Sequence, residues 1–504
     1  MKKYWPEIVL GLAIVIFIAV FSYLSVRRYL TLNSYYYDLG IMNQVVDNTS
    51  RGRILEMTNQ QLAKNVNRLA IHFDPILAFF APFYLIWRDP SVLLIDQAAI
   101  VGLGALAVYL LAVKVIKRKP VSLLFAVSYL MYFQVQRAVL FDFHAVTLAT
   151  PFFLFAFYFV FAKKYLPYFI FLFLTLLTKE HVGLVVIMLG LYLVFIRKEI
   201  KVGLTTVGLG AVFFVGTVFF AIPYARQQEH FALKYFEEFG DSPAQIIFNV
   251  FAHPAVTLRK ILNKESLDYI FRLVSPAFFA LVSPFAILIA LPEWAINILS
   301  INGNMRSYYF HYSSLIVPAM FLGLVLGYKR FDVSVRNKAI KRAAILVFIA
   351  MNVWSFYLYN PVPGFLVKQP VKYNDVESTK KKTIEFLKNR LKDDRIKLST
   401  TPRLAPFFTN RRYYHNFLFD TAYAEMGQTD EDVIKSKLGS YKGFDYVIID
   451  LEEIGDVDSG KLPVKFYQDL RNNPDYEMIL SNDKNIEVYK MKDGNEPLFK
   501  DSDI

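Results

Sequence analysis

The sequence predicts a mainly α, polytopic α-helical membrane protein with a C-terminal soluble α/β domain. Three observations predict it. Of 504 residues, 55% are hydrophobic and only 20% charged, against ~25% charged in an average soluble chain. The apolar excess lies in long runs before residue 360. Charge divides at the same place: residues 361–504 hold 23 Lys/Arg and 25 Asp/Glu, the first 360 residues 33 and 18. The net charge of +13 therefore belongs to the membrane part, where lysine and arginine set topology, and no nucleic-acid partner is implied. A disordered chain is excluded. With no cysteine, so are disulfides, Cys-ligated metals and a thiol nucleophile.

The N-terminus opens with Lys2 and Lys3 and an apolar run from Ile8 to Val26. Arg27, Arg28 and Tyr29 follow without a small-residue cleavage site, so this reads as an uncleaved first span. A span needs ~20 apolar residues. Ten further candidates lie near 90–113, 120–136, 146–162, 165–178, 182–196, 202–222, 267–282, 284–300, 313–328 and 343–359, making about 11 spans. Segments 165–178 and 182–196 read as a hairpin or as one long tilted helix; basic residues on both flanks favour the hairpin. Alternating from an inside N-terminus, the short inner segments hold 17 of the 33 basic residues, as topology requires. The N-terminus is then inside and residues 361–504 outside, in a multi-pass protein of the plasma membrane. Two outer loops are long, 27–89 and 223–266. The first has amphipathic stretches near 38–49 and 75–87, the second of these too short to span and suited to the outer interface. Residues 1–360 thus form the membrane domain.

The tail reads as α/β. Helices are expected near 376–392, 430–438 and 463–471, with a short one after Pro402. Strands are expected at 396–400, near 412–417 and at 446–450, and 476–481 with 485–491 forms a hairpin. No glycine-rich phosphate loop opens any of these helices.

Ionisable residues at membrane depth are costly and are functional candidates. Almost all map to the outer face. They are Asp38 and Gln44 in the first loop, then His72 and Asp74, then Arg137, Asp142 and His144 after the third span. Lys179, Glu180 and His181 follow between spans five and six, Glu293 near the end of span nine, and His311 before span ten. Singly, each has a plain structural explanation, such as a helix cap for Asp38 or Asp74. Their shared face is the stronger signal. The set includes four of the seven histidines. Two chemistries fit. A carboxylate among Asp38, Asp142 and Glu180 acts as general base while Arg137 or Lys179 holds a phosphate. Alternatively Asp38, Asp142 and His144 hold a divalent cation, magnesium or manganese, that does the phosphate work. Gln44, His72, Asp74, His144, His181, Glu293 and His311 would complete the substrate site. Because nucleotide sugars are kept inside, an outward site points to a lipid-borne donor.

Several motifs occur in one order: Asp38-Leu-Gly-Ile-Met-Asn-Gln44, His72-Phe-Asp-Pro75, the Pro90-to-Gln97 run, Phe141-Asp-Phe-His144, Thr178-Lys-Glu-His181, Leu291-Pro-Glu293 and His311-Tyr-Ser313. With Ser399-Thr-Thr-Pro-Arg403 and Phe444-Asp-Tyr-Val-Ile-Ile-Asp450 in the tail, they resemble an uncharacterised prokaryotic family of membrane proteins, the domain of unknown function 2079. That family often has Asp where this chain has His181. Its layout is in turn similar to the GT-C superfamily of glycosyltransferases. By that analogy Asp38 matches a catalytic acid of the first outer loop and Asp142 the acid of the second. The resemblance implies an inverting transferase that draws a polyprenyl-phosphate-linked sugar from the membrane lipids. The alternatives are a carrier or flippase for lipid or polysaccharide, and a membrane assembly protein.

Overall fold

The computed structural model describes residues 4–60, 64–226, 231–364, 367–418, 431, 437–455, 461–482 and 485–492. Lys2 and Lys3 and most of the helix expected near 430–438 lie outside them. The chain divides into two compact units. One comprises Met1–Ser25, Leu69–Ile76 and Leu94–Lys372; the other Val26–Arg68, Leu77–Leu93 and Tyr373–Ile504. The division therefore does not simply fall at 360: most of the first long loop folds with the tail.

The first unit is helical. Trp5–Leu30, Ser91–Ile116, Ile200–Ala225 and Lys338–Tyr359 are long and apolar enough to cross a membrane. At 1.5 Å per residue, a 26-residue helix is about 39 Å long, against a hydrocarbon core of about 30 Å. Lys119–Met131 and Phe133–Leu140 make a fifth span if counted together across a 40° bend. The bend follows from Tyr132, whose extended backbone (ψ 118°) breaks the helix; the Gln136 amide caps the freed Leu130 carbonyl at 2.9 Å. Four other expected spans are shorter apolar helices: Ala145–Phe161, Tyr165–Leu176, Val182–Phe195 and Pro284–Leu299. Residues 165–196 are thus two helices, interrupted at the polar run Thr178–His181. The expected span at 267–282 is an amphipathic helix, Lys264–Val274, followed by a tighter turn opened at Pro276. The expected span at 313–328 is the helix Ile316–Ser334, which carries Lys329, Arg330 and Asp332 in its last turns.

Small residues set the closest helix packing. Val182–Phe195 and Ile200–Val215 run side by side with Gly190 against Gly203 and Gly183 against Gly210. A Cβ on Gly190 would lie 2.6 Å from Val207 Cγ2 and 2.8 Å from the Gly203 carbonyl oxygen; one on Gly183 would lie 2.7 Å from the Gly210 oxygen. Only glycine lets these backbones touch, the usual device where no hydrophobic force separates helix from lipid. A core running from Leu10 to Phe348 fills the rest.

The second unit carries every described strand. These are β1 (Glu56–Asn59), β2 (Lys64–Asn67), β3 (Leu398–Thr400), β4 (Tyr414–Asn416), β5 (Tyr446–Asp450), β6 (Tyr476–Asn482) and β7 (Ile486–Met491). β1 and β2 form an antiparallel pair; the other five form a sheet in the order β4-β3-β5-β7-β6. β3 is parallel to β4 and β5, whereas β7 is antiparallel to β5 and β6. All five β5 residues are buried, as a continuous apolar strand covered on both faces requires. Alternate residues Val447 and Ile449 pack with Val464, Phe466 and Leu470 of the helix Leu462–Arg471.

The first-loop segments are joined to the tail by buried polar contacts. Asn43 Nδ2 donates to Thr409 Oγ1 at 2.9 Å. Tyr36 stacks on Tyr414 at 5.1 Å. Asp47 is fully buried and paired with Arg88, whose Nη2 donates to Asp47 Oδ2 at 2.8 Å and to the Asn410 carbonyl at 2.7 Å. Arg411, also buried, donates to the carbonyls of Phe408, Ile396 and Leu391 at 2.6, 3.0 and 2.7 Å. Burial lowers its pKa to about 10.

Candidate active site

The polar residues of the first unit stand where apolar helices stop. Leu176 ends one helix and Val182 begins the next, leaving Thr178–His181 between them. The Ile76 amide donates to the Leu177 carbonyl at 3.1 Å, which ties the 72–76 segment to that turn. Glu180, 4% exposed, then meets two donors. His72 Nδ1 lies 3.0 Å from its Oε1, and the Phe73 amide donates to its Oε2 at 2.9 Å. A carboxylate on Nδ1 fixes the imidazole tautomer and leaves Nε2 as the basic nitrogen. Its neighbour His181 points elsewhere, with Nε2 at 3.1 Å from Glu293 Oε2, in the first turn of Leu291–Leu299.

A second pair of segments adds two more histidines. Phe141–His144 follows the helix Phe133–Leu140, with Asp142 in the left-handed region at φ +63°. Gln97 holds this strained turn from both sides. Its Nε2 donates to the carbonyls of Val139 and Asp142 at 3.1 and 2.7 Å, and its Oε1 accepts from the His144 amide at 2.9 Å. The His144 ring stacks on His311 with centroids 3.7 Å apart. His311 is placed by Ser314, whose Oγ donates to its carbonyl at 2.6 Å. Burial, then His144, Lys179, His181 and His72 in that order, hold the His311 pKa well below its ordinary value. Those electrostatic partners come from three different segments, so His72, His144, Lys179 and His181 all lie within electrostatic reach of His311. Among the described residues Lys179 makes no salt bridge, and no three His, Asp or Glu side chains are grouped to hold a metal ion.

The sequence matches a family of predicted membrane proteins over residues 28–495. The chain belongs to that family, the domain of unknown function 2079. No curated protein matches it. A membrane protein with several apolar helices is thereby established.

Other expected site residues of this family member lie elsewhere. Asp38 and Gln44 belong to the second unit, Asp38 in the turn Tyr36–Gly40. The trio considered for a cation, Asp38, Asp142 and His144, is thus split between the units. Gln44 is fully buried and its Nε2 donates to Thr58 Oγ1 at 3.0 Å and to the Arg411 and Arg412 carbonyls at 3.2 Å, which makes it a structural joint. Arg137 also has a structural task. Its Nε and Nη2 donate to the carbonyls of Tyr359 and Gln369 at 3.0 and 2.7 Å, and its guanidinium lies over the rings of Tyr308 and Tyr309. Arg306 caps a helix end, donating to the carbonyls of Asn297, Ile298 and Ser300, groups that a helix C-terminus leaves unmet. Asp74 is buried immediately before the turn Pro75–Phe80. Gln97 was missed as a site residue. Its signal was an amide beside Asp96 in a mostly apolar helix, inside the motif run that ends on it.

Proposed function

We propose that this protein is a membrane enzyme that transfers a sugar from a polyprenyl-phosphate donor to an acceptor hydroxyl at the outer face. The eleven-span, N-inside topology with an outer α/β tail belongs to the same reading. One observation carries it: at the ends of apolar helices His72, His144, Lys179 and His181 lie within electrostatic reach of His311, with Glu180 on His72 and Glu293 on His181. A site for a lipid-borne phosphate needs a cation at membrane depth, which Lys179 supplies, and a base for the incoming hydroxyl.

The base is assigned to His72 rather than Asp38, because the Glu180 carboxylate sits on Nδ1 and turns Nε2 toward proton acceptance. The acceptor oxygen attacks the anomeric carbon as the sugar–phosphate bond breaks. The bonding pair leaves on the phosphate, the hydroxyl proton goes to His72 Nε2, and the configuration inverts. The phosphodiester monoanion becomes a phosphomonoester dianion, whose added charge Lys179 offsets. No step needs a metal ion. Positioned base catalysis of this kind contributes about 10²–10⁴-fold.

The test is turnover by the full chain in proteoliposomes carrying a panel of polyprenyl-phosphate sugars labelled in the sugar. Release of polyprenyl phosphate by the wild type, lost at least a hundredfold in His72→Asn, is the expected outcome. Labelled lipid that crosses leaflets with its sugar intact would instead favour the carrier. Full turnover in a folded His72→Asn variant would remove the assigned base.

A further inference from the structure

We propose that the stacked imidazoles of His144 and His311, with Lys179, are the seat of the phosphate group, and that a proton enters with the phosphate. The proposal deepens the reading above and rests on it. The two rings are nearly parallel, with planes 22° apart and centroids at 3.7 Å. Phe141 stacks on both, at 5.4 Å from His144 and 5.9 Å from His311, and the Tyr312 ring lies tilted against His311 at 4.6 Å. His311 is 6% exposed, and its Nδ1 has no hydrogen-bond partner. A buried nitrogen left in that state loses its hydration without replacement. A ligand oxygen would restore the bond.

The charges around the stack point to an anion. His72, Asp142, Lys179, Glu180, His181 and Glu293 are the other titratable groups of the cluster. Glu180 is engaged by His72 and Glu293 by His181. Lys179 has no salt bridge among the described residues, and together with the neighbouring histidines it opposes protonation of His311. Two imidazolium rings could not stack face to face beside a lysine unless an anion neutralised them. With no anion bound, burial and the surrounding histidines and lysine keep the His311 ring neutral. A phosphate dianion reverses the balance, raises the ring pKa and takes up a proton. The sign follows: affinity rises as pH falls, up to about tenfold per pH unit for one linked proton. The seat therefore favours the dianion leaving group over the monoanionic donor, which is stabilisation of charge where it develops.

The experiment is titration calorimetry on the full chain in detergent at pH 8, where a phosphomonoester is mostly dianionic. Two probes are used, farnesyl phosphate and inorganic phosphate, each in two buffers of different ionisation heat. The expected result is uptake of close to one proton per farnesyl phosphate. In His311→Asn and His144→Asn, each checked for folding by thermal melting, uptake falls to near zero and affinity at least about tenfold. Uptake with inorganic phosphate alone would support the seat while removing the lipid source. Binding of neither probe, binding without proton uptake, or unchanged binding and uptake in the folded variants would overturn the seat. A variant that binds with unchanged uptake yet loses sugar transfer would overturn the seat and leave the transferase reading standing.

Discussion

Replacing Glu180 by glutamine separates folding from chemistry. The native carboxylate accepts two bonds, from His72 Nδ1 at 3.0 Å and from the Phe73 amide at 2.9 Å. Glutamine is isosteric but has one acceptor oxygen; with that oxygen on the Phe73 amide, its NH₂ faces His72 Nδ1 and can only donate to it, which moves the ring proton to Nε2. A hydrogen bond to a charged group is exchanged for a neutral one, which costs at most about 1–3 kcal/mol. The His72 side chain is 21% exposed and can recover part of this from water, so the lower half of the range is expected. Such a loss moves the melting temperature by only a few degrees. Turnover should fall much further. Without the carboxylate, His72 Nε2 carries the proton and the imidazolium is no longer stabilised, a loss of about 10²–10⁴-fold for a positioned base. The assay pairs the proteoliposome turnover measurement with a thermal melt of the same preparation. Turnover within about threefold of wild type, in a variant whose melt has shifted, would refute the dyad as the base.

Three further outcomes follow from the packing and the buried charges. Gly190→Leu should prevent close contact of Val182–Phe195 with Ile200–Val215, because the new Cβ meets Val207 and the Gly203 carbonyl inside 3 Å; strain above about 3 kcal/mol should appear as loss of monodisperse protein on size-exclusion chromatography. Arg88→Ala leaves Asp47 buried without its guanidinium partner and should cost about 3–5 kcal/mol, read as faster proteolysis of the α/β unit and partly restored by adding Asp47→Asn. Glu453 is pushed up by burial to about 7 from 4.5. Its folded form holds a proton that the unfolded form has released, so stability is fully present below pH 4.5 and falls as pH rises through about 7. Glu453→Gln should therefore raise the melting temperature of the full chain at pH 8 and change it little at pH 4.5.

Local patterns were legible in the sequence. The Tyr446–Asp450 run announced a strand, and the helix expected near 376–392 is Ser378–Arg390, with Ile384 and Leu387 buried on its inner face. The polar residues of the site were legible as charges where apolar runs stop. Their pairing was not. His72 could equally have served its neighbour Asp74, yet it bonds Glu180, 108 positions away. Gln44 and Arg137 looked like ligand contacts because a donor satisfied by backbone carbonyls leaves no mark in sequence. The membership of the first loop in the α/β unit was hidden for the same reason, since Asp47, Arg88 and Asn410 meet only in three dimensions. Several expected spans proved short because hydropathy counts apolar residues and does not register breaks at Tyr132, Thr178 or Pro276.

The central claim is that a lipid-linked donor sits among the His, Glu and Lys side chains of the first unit. Photo-crosslinking tests it most directly, using a polyprenyl-phosphate sugar with a diazirine beside the phosphate and mass spectrometry of the labelled peptides. The account predicts label on the peptides holding His144, Lys179 and His311, competed away by unlabelled donor. Competable label confined to the α/β unit, or none on those three peptides, would contradict it.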